Sequence, residues 1–87
     1  MSYRLVVKPS AEKDVGRLPK QMRLRILDRM AQIAADPRLP GSSKLAGSSD
    51  AYRIHVGDWR IVYEIDDKNL VVFATIVGQR REVYRGI

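Results

Sequence analysis

Arg53, His55 and Arg60 are the side chains whose type and spacing most directly suggest chemistry. Residues 51–56 and 59–65 alternate apolar and polar side chains and are joined by Gly57-Asp58, which reads as a tight hairpin between two strands. Successive strand side chains face opposite ways, so Tyr52, Ile54 and Val56 share a face with Trp59, Ile61, Tyr63 and Ile65. That face is apolar and reads as core, which assigns Trp59, Tyr63 and Tyr52 to packing. The opposite face collects Arg53, His55 and Arg60. A third run, residues 70–77, is almost wholly apolar, as a central strand covered on both sides would be, and leads into Gly78-Gln79-Arg80-Arg81-Glu82-Val83-Tyr84-Arg85. Cations, one imidazole and one phenol thus converge on one surface. Such a surface suits a phosphodiester, with guanidinium groups where phosphate charge grows and two groups that can move protons.

The division of labour between the two proton carriers has two readings. An unperturbed phenol titrates near about 10, so Tyr84 serves as a base only if Arg53, Arg60 and Arg80 pull that value down; otherwise it is a stacking platform for a nucleobase. An unperturbed imidazole titrates near about 6.5 and needs less tuning. The preferred assignment is Tyr84 as base and His55 as acid, against the plainer reading of His55 as a half-exposed strand side chain. Arg60 is expected to face outward, with an ion pair to Glu64 as its alternative, so that Arg60→Ala and Arg80→Ala should leave the core intact. Arg81 alternates away from Arg80, towards solvent.

Eighty-seven residues make a single domain, 1–87, and a chain of this size buries only about 60 to 65% of the surface that its unfolded form exposes. There is no cysteine, which removes disulfides and thiolate metal sites. With one histidine and no acidic cluster at ligand spacing, neither a metal nor another cofactor is expected. No apolar run has the length of a signal peptide or of a membrane span, so a cytoplasmic protein without membrane contact is expected. The formal net charge of +6 points to a polyanionic partner, nucleic acid above all, or else to a solubilising surface. The excess lies in residues 1–50, with ten Lys/Arg against five Asp/Glu, whereas residues 51–87 hold six against five. Arg23, Arg25 and Arg29 on a helix, with Lys44 and Arg81, form the expected RNA-contacting set.

The remaining elements must position these groups. Residues 3–8 read as a strand stopped by Pro9, and Ser10 as the N-cap of a short helix carrying Ala11, Val15 and Leu18 inward. After the Leu18-Pro19 break, residues 20–35 read as a second helix with Met22, Ile26, Met30 and Ile33 beside Leu27, Ala31 and Ala34 as its apolar face. The methionines read as core filler. A flexible loop is expected from Pro40 to Asp50. The order is β-α-α-β-β-β, an α+β fold: a small, mostly antiparallel sheet of four to five strands with both helices on one face.

This order and these residues resemble the RelE/ParE superfamily of toxin-antitoxin toxins, and within it the RelE-like branch. The resemblance runs through Leu18-Pro19, Lys44-Leu45-Ala46-Gly47, Tyr52-Arg53-Ile54, Trp59-Arg60-Ile61-Val62-Tyr63 and the stretch from Val77 to Tyr84. It implies a ribosome-dependent, metal-independent endoribonuclease that cuts messenger RNA in the A site by attack of the RNA 2'-hydroxyl on the adjacent phosphate. Arg53, His55, Arg60, Arg80 and Tyr84 fall at the family's catalytic positions. His55 stands where the best-known pattern has Lys, and Arg53 replaces a Lys beside it. The implied partners are a RelB-like antitoxin, in an assembly up to a toxin-antitoxin heterotetramer, and the ribosome with its message. The alternative within the superfamily is a non-enzymatic ParE-like toxin acting on DNA gyrase, or a module that binds nucleic acid or a partner.

Overall fold

Pro9 ends the first strand by the same property that lets it open a helix: its fixed φ and missing N–H suit a first helical position. In the computed structural model, which describes residues 2–47 and 50–79, strand β1 (Arg4–Val7) gives way to helix α1 (Pro9–Gly16) with Lys8 at the N-cap. Ser10 is therefore not the cap. It lies inside the first turn, and its hydroxyl donates to the Thr75 carbonyl at 2.7 Å.

Helix α2 (Lys20–Ala35) follows the Leu18-Pro19 break, as expected. It buries Ile26, Met30 and Ile33, with Met22 packed against the same cluster. The apolar face is narrower than the periodicity suggested. Leu27 is 45% exposed and Leu24 points outward with it, because the sheet covers only one side of the helix. Among the described residues no helix is long and apolar enough to cross a membrane.

Four further strands follow: β2 (Ser43–Lys44), β3 (Ala51–Val56), β4 (Trp59–Asp66) and β5 (Val71–Gln79). The sheet order is β1-β5-β4-β3-β2, with β1 parallel to β5 and all other pairs antiparallel. The fold is the expected α+β arrangement with one strand more, β-α-α-β-β-β-β. That strand is β2, inside the stretch read as a flexible loop; two residues are too few for alternation to show. Both helices contribute to one cluster with Ile54, Val56, Ile61, Tyr63, Ile65, Val72, Ala74 and Val77, so the helices and the core lie on the same face of the sheet. On the other face Leu45 and Val62 form a small second cluster with Ala51 and Ile76. The β3–β4 turn has Gly57 at φ +60°, the sign its first central position needs in a two-residue hairpin.

The β4–β5 ladder changes register once. Tyr63 pairs with Ala74 but Val62 pairs with Ile76, which leaves Thr75 as an extra residue, a one-residue bulge. Its Oγ1 donates to the Val62 carbonyl at 3.1 Å.

At the far end of the sheet a polar network fastens the loop after α2. Arg38 makes a bidentate pair with Asp67 at 3.0 and 2.8 Å and donates through Nε to Tyr52 Oη at 3.2 Å, while Tyr3 Oη donates to Asp67 at 2.6 Å. Tyr52 stacks on Tyr63, whose hydroxyl donates to the Pro37 carbonyl at 2.7 Å. The Arg38 bonds, reinforced by Tyr3, hold the Asp67 carboxyl down at about 2. The same carboxylate, by accepting its hydrogen bond, raises the Tyr3 phenol.

These two shifts act at opposite ends of the pH scale. A depressed carboxyl contributes stability that is present above its ordinary value of 3.8 and lost as pH falls towards 2. A raised phenol contributes stability that is present below 10.0 and lost as pH rises through the raised value. Asp67→Asn should therefore flatten both arms of the stability profile, measured as urea midpoints across pH. An unchanged acid arm would show that Asp67 is not one of its sources.

Candidate active site

Directly opposed residues of an antiparallel pair project from the same face. His55 pairs with Arg60, Arg60 in turn with Gly78, and Arg53 with Val62, so Arg53, His55 and Arg60 lie together on the sheet face that the helices leave uncovered. This is the arrangement read from the alternation. Two neighbours on one strand face stand about 7 Å apart, within reach of a single phosphodiester.

Arg60 departs from expectation in one respect. It does not stand out into solvent but is 2% exposed. Its long stem and weakly hydrated guanidinium tolerate this better than a lysine would. Arg60 Nη2 lies 3.0 Å from His55 Nε2. A guanidinium has only donors, so Nε2 is the acceptor, and in this contact His55 is neutral with its proton on Nδ1. His55 itself is exposed and Arg53 half-buried, so the pair presents its imidazole edge to solvent.

The other basic residues are dispersed. Lys44 pairs with Tyr52 and so takes the helix-side face, away from the cluster. Arg29 is tied into a chain on α2, donating to Gln32, whose amide donates to Asp28. Arg23 is half-buried on the same helix. Arg25 approaches the hairpin tip at the site end of the sheet. A Cβ on Gly57 would stand 3.6 Å from its Nη1 and 3.7 Å from its Nη2, ordinary contact distances, so the guanidinium sits against the hairpin tip and it is the φ of +60° that calls for glycine there. Arg80, Arg81 and Tyr84 lie outside the described residues.

Two contributors were not legible from residue type: Gly78, which places no side chain beside Arg60, and the Thr75 bulge, which brings Gly78 there. A pocket of about 440 Å³ lies elsewhere, lined by Asp50, Glu64, Asp66, Asp67, Lys68 and Phe73. Its carboxylates make it a poor place for phosphate. Among the described residues no group of three or more His, Asp or Glu side chains is placed to hold a metal ion.

A family model described as the ParE toxin of the type II toxin-antitoxin system parDE matches residues 5–84. The mRNA interferase toxin RelE of Escherichia coli is 32% identical over 88 residues, which cover 97% of this chain and 92% of the relative. The solved structure of the isolated E. coli RelE toxin superposes with a TM-score of 0.80 at 30% identity, covering 98% of this chain and 94% of that one. The intact E. coli RelBE toxin-antitoxin complex gives 0.80 at 29% identity, over 90% of this chain and 96% of the other. The archaeal RelE-RelB complex of Pyrococcus horikoshii gives 0.79 at 28%, over 92% and 97%.

The burial of Arg60 changes what its removal should do. Truncation to alanine strips the apolar stem from its packing and takes the donor from His55, so Arg60→Ala should cost about 2 kcal/mol of folding stability by urea denaturation. Arg53→Ala, from a half-buried position, should cost well under half of that. Equal losses at the two positions would contradict the placement of Arg60.

Proposed function

Because the chain belongs to the RelE/ParE family of toxins of type II toxin-antitoxin systems, we propose that it is a single-domain endoribonuclease of the RelE kind, which arrests translation by cutting messenger RNA on the ribosome. The observation that carries this reading is the Arg60–His55 pair on the uncovered sheet face, flanked by Arg53. It supplies charge for a phosphate and a neutral imidazole beside it.

The RNA 2'-oxygen attacks the adjacent phosphorus and the bond to the 5'-oxygen breaks, leaving a 2',3'-cyclic phosphate and a 5'-hydroxyl. Arg60 and Arg53 stabilise the charge that gathers on the non-bridging oxygens. Once the donors of Arg60 turn to the phosphate, His55 Nε2 is released and accepts the 2'-proton. This exchanges the roles first assigned to His55 and Tyr84, because an acid must begin protonated and the contact with Arg60 requires a neutral ring. Tyr84 then supplies the proton to the leaving oxygen or stacks on a base, and Arg80 adds charge. Arg25 at the hairpin tip makes a sequence-independent backbone contact.

The reading extends to the partners. RelE-RelB complexes are among the structural relatives, so the cognate inhibitor is a RelB-like antitoxin; a toxin that cuts messenger RNA on the ribosome works in the cytoplasm. No cofactor enters the reaction.

Purified protein added to programmed ribosomes, with message ends mapped, tests this directly. Cleavage is expected, with His55→Gln slowing single-turnover cutting by about 10² to 10⁴-fold and abolishing the acid limb of the pH-rate profile. Intact message together with undiminished growth arrest would move the reading to a binding toxin without nuclease activity.

Arg25→Ala should weaken ribosome binding most at low salt while leaving the cut position unchanged. Binding that is insensitive to this change across a salt series would reduce Arg25 to a support for the Gly57 turn.

A further inference from the structure

Strand β1 pairs with β5 only as far as Val7 opposite Ala74, so beyond that point one edge of β5 has no strand beside it among the described residues. Helix α1 takes over the edge. The Lys8 amide donates to the Ala74 carbonyl at 2.8 Å, Ser10 Oγ to the Thr75 carbonyl at 2.7 Å, and the Val77 amide to Asp14 Oδ2 at 3.2 Å. Ser10 and Asp14 are four residues apart and therefore share a helix face. On the opposite edge Thr75 Oγ1 holds the Val62 carbonyl across the bulge. The bulge is thus fastened from both sides.

Its effect on the site follows from the register. If the pairing of Tyr63 with Ala74 continued without a bulge, Arg60 would face Val77, and a branched side chain would stand directly opposite Arg60 on the face the two residues share. The extra residue brings Gly78 opposite Arg60 instead and returns Val77 to the core, where it is 2% exposed.

We propose that Thr75, Ser10 and Asp14 are positioning residues for the Arg60–His55 pair: they fix a one-residue bulge whose phase presents Gly78 to Arg60. The role rests on the nuclease reading for its consequence in catalysis, but the geometry is measurable without it. The chain has a single histidine, so the imidazole nitrogen signals in ¹⁵N NMR belong to His55 without assignment.

Wild-type protein should show the Nδ1-protonated tautomer with Nε2 as acceptor. Thr75→Val keeps the shape but removes the hydroxyl; it should shift His55 towards the solution mixture of tautomers and slow single-turnover cleavage about tenfold with ribosome affinity unchanged, since small misplacements are costly at a reacting centre. Thr75→Ser should restore both. Gly78→Ala, which adds a methyl group directly opposite Arg60, should produce the same tautomer change with the bulge intact. The proposal is overturned if Thr75→Val and Gly78→Ala both leave the His55 signals as in wild type, or if Thr75→Ser fails to restore what Thr75→Val loses. A wild type that shows the expected tautomer yet cuts no message sinks the nuclease reading and leaves the positioning role standing.

Discussion

A guanidinium held within a protein surface must replace the water it gives up with acceptors and close packing. Arg60 meets this demand through Nη2, which His55 accepts from, while its buried Nε finds no hydrogen-bond acceptor among the described residues; it does so on a sheet face, where most side chains rise directly into solvent. Around that requirement the neighbouring choices fall into place: a hairpin that sets His55 beside it, a glycine in the next strand, and a small apolar cluster of Leu45, Val62, Ala51 and Ile76 next to it on the same face. The pair is held by packing as much as by charge. Regular elements keep such groups in place more closely than a loop would.

Much of this was written in the alternation of residues 51–65, because a period of two determines which side chains share a face whatever their identity. The same logic brought Arg53, His55 and Arg60 together and sent Tyr63 to the core. It failed where the period breaks. Nothing in the residue types of 71–79 announces an extra residue at Thr75, since Thr is an ordinary strand residue and a bulge depends on what both neighbouring elements offer. Ser10 misled for a related reason: its hydroxyl suits a cap, but Pro9 had already started the helix, and the vacant edge of β5 was the stronger claim on it. Leu27 was placed inward by periodicity alone, which cannot tell how wide a stripe the facing sheet will cover. The burial of Arg60 was equally hidden, for alternation gives direction and not depth.

The two ends of the sheet are organised on different terms. At the site end, cations and a neutral ring face the uncovered side. At the other end Arg38, Asp67, Tyr3 and Tyr52 join four separate parts of the chain through partly exposed bonds. Such bonds are individually weak in water, yet each here is geometrically matched, and together they order the loop that leads into β2.

The parallel pairing of β1 with β5 joins Arg4 to Val71 and Val7 to Ala74, across almost the whole length of the chain. During synthesis the first strand therefore has no partner until residues 71–74 have been made, and contacts between such distant segments form late because the intervening chain must first be ordered. Arg60 and His55 can meet in the hairpin alone, but the strand that supplies Gly78 is made after it. A nascent chain thus carries Arg53, His55 and Arg60 past the machinery that makes it without the surface that would assemble them, until β5 has followed the hairpin.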